Sequence, residues 1–253
     1  MNVSKSLSIM VTAASLLALS VPFVHAAKQT DSRIESSAKN SYVFKTYLKT
    51  DDIKVQAKNG AVVLTGTVTE SYHKSLAEDT VAGLPGVTNV DNRLETKGAP
   101  PTANSDAWLR DKVKITLSFH RSVSGLATEV DVKDGIVTLR GVASSQAQKE
   151  LTTEYTKDVE GVKDVINEMT VGKHAKTKRT IGEKIDDSSI TAQVKSTLLY
   201  HRSTSAIHTT VKTKRGVVTL DGKAKSVTEK DLATKIANDV NGVTKVINRM
   251  TIE

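Results

Sequence analysis

The segments Gly60-Ala-Val-Val-Leu-Thr-Gly66, Gly135-Ile-Val-Thr-Leu-Arg-Gly141 and Gly216-Val-Val-Thr-Leu-Asp-Gly222 are three versions of one pattern. A second marker follows each copy: Gly86-Val87 with Asn92, Gly161-Val162 with Asn167, and Gly242-Val243 with Asn248. Every marker recurs after 75 residues, then after 81. The copies therefore align without internal gaps, and all length variation falls in the linkers. A tandem repeat sets the architecture before any single residue is weighed. It also argues against an enzyme, because a catalytic site rarely needs three copies.

Around each marker the same order of elements can be read. Ile34, Ala38 and Tyr42 align with Leu109, Val113 and Leu117, and with Ile190, Val194 and Leu198. Spacing of four places each trio on one helix face. Asp31, Asp106 and Asp187 stand at helix-start positions, where a carboxylate can accept unpaired N–H groups. Alternating segments follow at 53–57, 128–132 and 209–213, as expected for strands covered on one face. Asn59-Gly60, Asp134-Gly135 and Arg215-Gly216 read as tight hairpin turns. Gly66, Gly141 and Gly222 mark a bulge or a close backbone approach. A second helix (Leu76, Thr80, Leu84 and their equivalents) and a last strand ending at Leu94, Met169 or Met250 complete the unit. The expected fold is α+β: three tandem α-β-β-α-β repeats, each a small three-stranded mixed sheet with two helices on one face.

The repeats are expected at 31–97, 105–171 and 187–253, joined by a Pro-containing linker at 98–104 and a basic linker at 172–186. Residues 1–26 read as a secretory signal peptide: Lys5, an apolar run from Leu7 to Val24, and cleavage near Ala26. The chain has no cysteine, which excludes disulfides, thiolate chemistry and the lipidated cysteine of a bacterial lipoprotein. Export without a lipid anchor places the expected protein in the periplasm. Net charge is +8, and it is uneven. Residues 27–104 carry ten basic and nine acidic side chains, residues 105–171 nine and eleven, and residues 172–253 sixteen and eight. The positive field belongs to the last third. Export argues against nucleic acid as its partner and favours anionic lipid or another envelope polyanion.

Two groups of residues are candidates for anion binding. Phe119-His120-Arg121-Ser122 recurs as Tyr200-His201-Arg202-Ser203 at the end of the first helix. It reads either as a phosphate-facing cluster or as cations complementing a helix C-terminus. Lys212, Lys214 and Arg215, with Lys223 and Lys225 across the hairpin, read either as a basic patch or as a solvated strand face. His73, His120, His174, His201 and His208 have no metal-ligand spacing, so neither a metal nor a cofactor is expected. No nucleophile elbow or paired-carboxylate motif stands out. Trp108 is either an anchor for a membrane or partner, or the cover of a contact between repeats.

The pattern carried by Gly135, Val137, Leu139, Gly141, Gly161, Val162, Val165 and Asn167, with its counterparts in the other copies, resembles the BON domain. The first copy departs at Asp91, where the others have Ile166 and Ile247. The resemblance implies a non-enzymatic envelope module associated with phospholipid or hydrophobic surfaces and with osmotic or envelope stress. Chaperone-like binding of unfolded or outer-membrane client proteins is the alternative it implies.

Overall fold

The computed structural model describes residues 21–98, 101–172, 184–204 and 209–253, with side chains from residue 29 onward. Most of the expected leader, most of the basic linker, His174 and His208 lie outside the described residues.

The first repeat contains α1 (Val21–Asn40), α2 (Tyr42–Thr46), β1 (Asp52–Lys58), β2 (Ala61–Val68), α3 (Ser71–Ala82) and β3 (Asn89–Thr96). The second contains α4 (Asp106–Phe119), β4 (Glu129–Lys133), β5 (Ile136–Arg140), β6 (Val142–Ala143), α5 (Gln146–Lys157), β7 (Asp164–Asn167) and β8 (Thr170–Val171). The third contains α6 (Asp187–Tyr200), β9 (Thr209–Lys214), β10 (Val217–Ala224), α7 (Val227–Asp239), β11 (Lys245–Asn248) and β12 (Thr251–Ile252). In every repeat the hairpin strands pair antiparallel and the last strand joins the second in parallel, so the glycine-flanked strand is central. The helices cover one face, and a separate apolar core lies beneath each pair. The fold is the α+β repeat that the periodicity predicts.

The hairpins turn through left-handed pairs: Asn59 and Gly60 at φ 53° and 81°, Asp134 and Gly135 at 53° and 81°, and Arg215 and Gly216 at 53° and 75°. Arginine is a poor residue for that region. A carboxylate holds the turn in all three repeats. Asp187 accepts from Arg215 N at 2.7 Å and Gly216 N at 2.8 Å. Asp106 accepts from Asp134 N and Gly135 N, and Asp31 from Asn59 N and Gly60 N. This corrects the helix-start reading of the three aspartates. The caps of α4 and α6 are Ser105 and Asp186, while Asp106 and Asp187 reach from the first turn to the hairpin. Gly66 (φ 119°) is a close approach, since a Cβ there would sit 1.9 Å from the Asp52 carbonyl oxygen.

The third-strand asparagines tie sheet to helix. Asn167 Nδ2 donates to Lys149 O and Thr153 Oγ1, and its Oδ1 accepts from Met169 N. Asn92 and Asn248 make the equivalent bonds to α3 and α7.

The repeats pack around α6. It meets α3 of the first repeat, α4 of the second and α7 of its own. Nearly its whole surface is buried, and much of it is small: Ser188, Ser189, Ala192, Ser196 and Thr197. The first repeat breaks its opening helix at Ser41, which caps α2. The exposed amides of Tyr42 and Val43 then donate to Asp186 Oδ2 (2.8 Å) and Ser189 Oγ (3.0 Å) at the start of α6. Ile115, Phe119 and Ala192, from the later repeats, join the first repeat's core. Tyr47 packs edge-on against Phe119 and donates to Ser118 O.

Candidate functional site

The two His-Arg pairs form a reciprocal clasp between the second and third repeats. His120 bridges to Val240, and His201 to Val159, each in antiparallel fashion. Arg121 N donates to Asp239 O while Arg202 N donates to Asp158 O. Asn241 N donates to Phe119 O while Glu160 N donates to Tyr200 O. The Arg121 guanidinium donates to carbonyls of Asn238, Val240 and Val243, and that of Arg202 to Val162 (2.6 Å) and Val159. Each pair leaves its own helix and caps the second-helix end of the other repeat. His120, Arg121, His201 and Arg202 thus have partners inside the chain, and neither sequence reading anticipated them. The first repeat has Lys45 and Gly83 at the positions of His120 and Asp158, and docks through α2 instead.

The two histidines of the clasp have unlike surroundings. His120 is buried, stacks on Tyr155 with ring centroids 3.8 Å apart, and places Nδ1 3.0 Å from Asp239 Oδ2. Burial pushes the Asp239 carboxyl up, but hydrogen bonds from His120, Ser122 and Tyr155 outweigh it and hold the group below its usual range. His201 lies 3.3 Å from Asp158 and is pushed down by burial, with His120 and Arg202 adding to that against the pull of Asp158. Ser122, Asp239 and His120 do not form a nucleophile relay. The aspartate lies between the other two, so the imidazole does not face the hydroxyl it would have to deprotonate.

Trp108 is half-buried and packs under Lys112 of its own helix. Lys112 Nζ sits 3.9 Å from the Trp108 ring centre and 5.5 Å from that of Tyr200, linking α4 to α6. Among the described residues no group of three His, Cys, Asp or Glu side chains is placed to hold a metal ion.

The third sheet's open face gathers cations. Alternation turns Lys212 and Lys214 of β9 outward, along with Val217, Thr219, Asp221 and Lys223 of β10. The parallel third strand adds Lys245 and Ile247, and Arg249 follows. Thr219 lies between Lys212 and Ile247, and Val217 between Lys214 and Lys245. Five cations thus surround an apolar strip with two acids, the half-buried Asp221 and Glu253, whose carboxylate lies 4.0 Å from Lys223 Nζ. Of the five patch residues expected from the sequence, Lys212, Lys214 and Lys223 share this face. Arg215 sits at the hairpin tip. Lys225 lies past the strand, where its N–H closes a capping box with Ser226 and Glu229. Lys245 and Arg249 were missed. The signal that finds them is topology: the last strand of an α-β-β-α-β unit lies beside the second.

A three-strand sheet under two helices, repeated three times with the same turn, glycine and asparagine devices, defines a small α+β module. The BON domain model matches residues 30–98, 105–173 and 186–253, and the chain belongs to the BON domain family. It is similar to Osmotically-inducible protein Y of Escherichia coli, at 30% identity over 78% of this chain and 95% of that protein. The 21 kDa hemolysin of Actinobacillus pleuropneumoniae is 29% identical over 63% of this chain and 73% of its own length. Outer membrane lipoprotein DolP of Haemophilus influenzae is 33% identical over 45% and 56% respectively. A solved structure of CdsD, a structural protein of the type III secretion system of Chlamydia trachomatis, covers 89% of the chain at 17% identity and a TM-score of 0.25, too low to support any argument. Among the described residues no helix is long and apolar enough to cross a membrane.

Proposed function

We propose that the chain is a non-enzymatic periplasmic protein of osmotic or envelope stress that adsorbs to anionic phospholipid through the open face of its third sheet. The carrying observation is the cluster of Lys212, Lys214, Lys223, Lys245 and Arg249 around Val217 and Ile247. Each cation near an anionic membrane contributes about 1 kcal/mol, so five give salt-sensitive adsorption, and the apolar strip adds shallow contact. Family membership and the osmotically inducible relative support the stress setting. Co-sedimentation with phosphatidylglycerol vesicles tests the reading. Binding is expected at low salt, with most of it lost in Lys212→Glu/Lys214→Glu. Failure to pellet with these vesicles at low salt discards it.

A second reading, chaperone-like capture of client proteins, draws on Ile136, Val142 and Ile166, which are 39%, 40% and 48% exposed on the second repeat. It predicts that aggregation of an unfolded client is suppressed without lipid and with little dependence on salt.

A further inference from the structure

The open faces of the second and third sheets are one surface built twice with opposite charge. Positions 81 residues apart hold equal places in the two sheets. The centre is retained: Ile136 answers to Val217, Thr138 to Thr219, and Ile166 to Ile247. Around it the sign reverses at four places, with Asp131 against Lys212, Arg140 against Asp221, Asp164 against Lys245, and Glu168 against Arg249. Lys133 and Lys214 alone keep theirs. On the second face Arg140 pairs with Asp131 and Glu168, and the acidic rim of Asp131, Asp164 and Glu168 outweighs Arg140 and Lys133. On the third face a basic rim surrounds Asp221. These charged groups are exposed, apart from the half-buried Asp221.

We infer that the open face of the second sheet docks on the open face of the third sheet in another copy of this chain. Charge complementarity names the occupant: an acidic rim meets a basic rim. Open sheet faces stack about 10 Å apart with their side chains interleaved. Such a stack covers Ile136 and Ile166, which are otherwise left to solvent. The two faces of one molecule do not meet each other. The clasp and the α4–α6 contact join their helical layers, and among the described residues the two sheets are not packed on each other. The contact is between unlike faces, so every copy added leaves one acidic and one basic face free. The product is an open chain or a closed ring, not a two-fold dimer. The inference does not rest on lipid binding. It does oppose it on any one molecule, because both uses occupy the basic face.

Sedimentation velocity of the lipid-free protein tests this. At about 10 mM salt, where charges act over about 30 Å, mean mass is expected to rise with concentration. At about 1 M salt it falls back to that of one chain. Asp131→Lys/Asp164→Lys and Lys212→Asp/Lys245→Asp each put like charges against like and weaken association by about tenfold or more. The four changes in one chain restore it, because both faces are then reversed. The sites are exposed, so an unchanged melting temperature confirms that each variant folds. Asp131→Lys/Asp164→Lys still pellets with phosphatidylglycerol vesicles if the lipid reading holds, which separates failure of one proposal from failure of the other. A wild type that stays monomeric at low salt at all concentrations overturns the inference. So does a folded fourfold variant that fails to reassociate.

Discussion

The carboxylates of Asp31, Asp106 and Asp187 show how a local pattern receives a non-local use. Each reaches 28 and 29 residues along the chain to two turn amides. Periodicity identifies the helix and the turn separately, but says nothing of which helix residue faces which turn. Charge-assisted bonds of this kind contribute about 1.5–3 kcal/mol. Asp106→Ala is therefore expected to lower stability by about 2 kcal/mol, read as a drop in urea midpoint at unchanged m-value. His201 gives a prediction in pH. Burial places its folded pKa below the unfolded 6.5, so the unfolded chain takes up the proton first. The stabilisation from neutral His201 is present above 6.5 and is lost as pH falls through the folded value. Asp239 adds a loss of the same sign at lower pH, below 3.8. Glu70 acts oppositely, because burial and Asp111 raise its carboxyl. The comparison of wild type with His201→Gln isolates the histidine. Melting curves from pH 7.5 to 5 are expected to fall more steeply for the wild type, and parallel curves would contradict the assignment.

At the scale of elements, most of the structure was legible. Helices with a four-residue stripe, strands with alternation and turns ending in glycine appear where their periods place them, even at Arg215-Gly216, where the turn residue is unfavourable. The breaks were not legible. The first helix stops at Ser41 because the third repeat supplies Asp186 and Ser189 to its freed amides, and no pattern within 31–46 announces that. The His-Arg pairs were visible as a repeated motif, but their partners lie 40 to 122 residues away in sequence. Arg121 donates to the Asn238 carbonyl in the last turn of α7 and to those of Val240 and Val243 just past it. Arg121→Ala removes these charge-assisted bonds, two of them part-buried, and is expected to cost about 1.5–3 kcal/mol in chemical denaturation.

The whole molecule is held by one helix. α6 lies against all three repeats, with serine, alanine and threonine where the neighbours come closest. A repeat of this size has a marginal core alone, so contact between repeats carries much of the stability. One cooperative thermal transition is expected for the described body. Ala192→Leu puts extra volume into the seam between α6 and the first repeat's core, at a cost of about 1–3 kcal/mol. Calorimetry is expected to show an earlier transition of the first repeat separating from the rest.

The sequence by itself determined the repeat, its element order, its turn and glycine devices, and the drift of charge from neutral to acidic to basic copies. These depend on period, local conformation and composition, which neighbours in the chain carry. Only the tertiary structure decided that the His-Arg pairs clasp one repeat to another, that α6 is the shared centre, and that Lys245 and Arg249 share a sheet face with Lys212 and Lys214, across the central strand. Those outcomes depend on which surfaces exclude water together, and that is settled by packing between residues far apart in the chain.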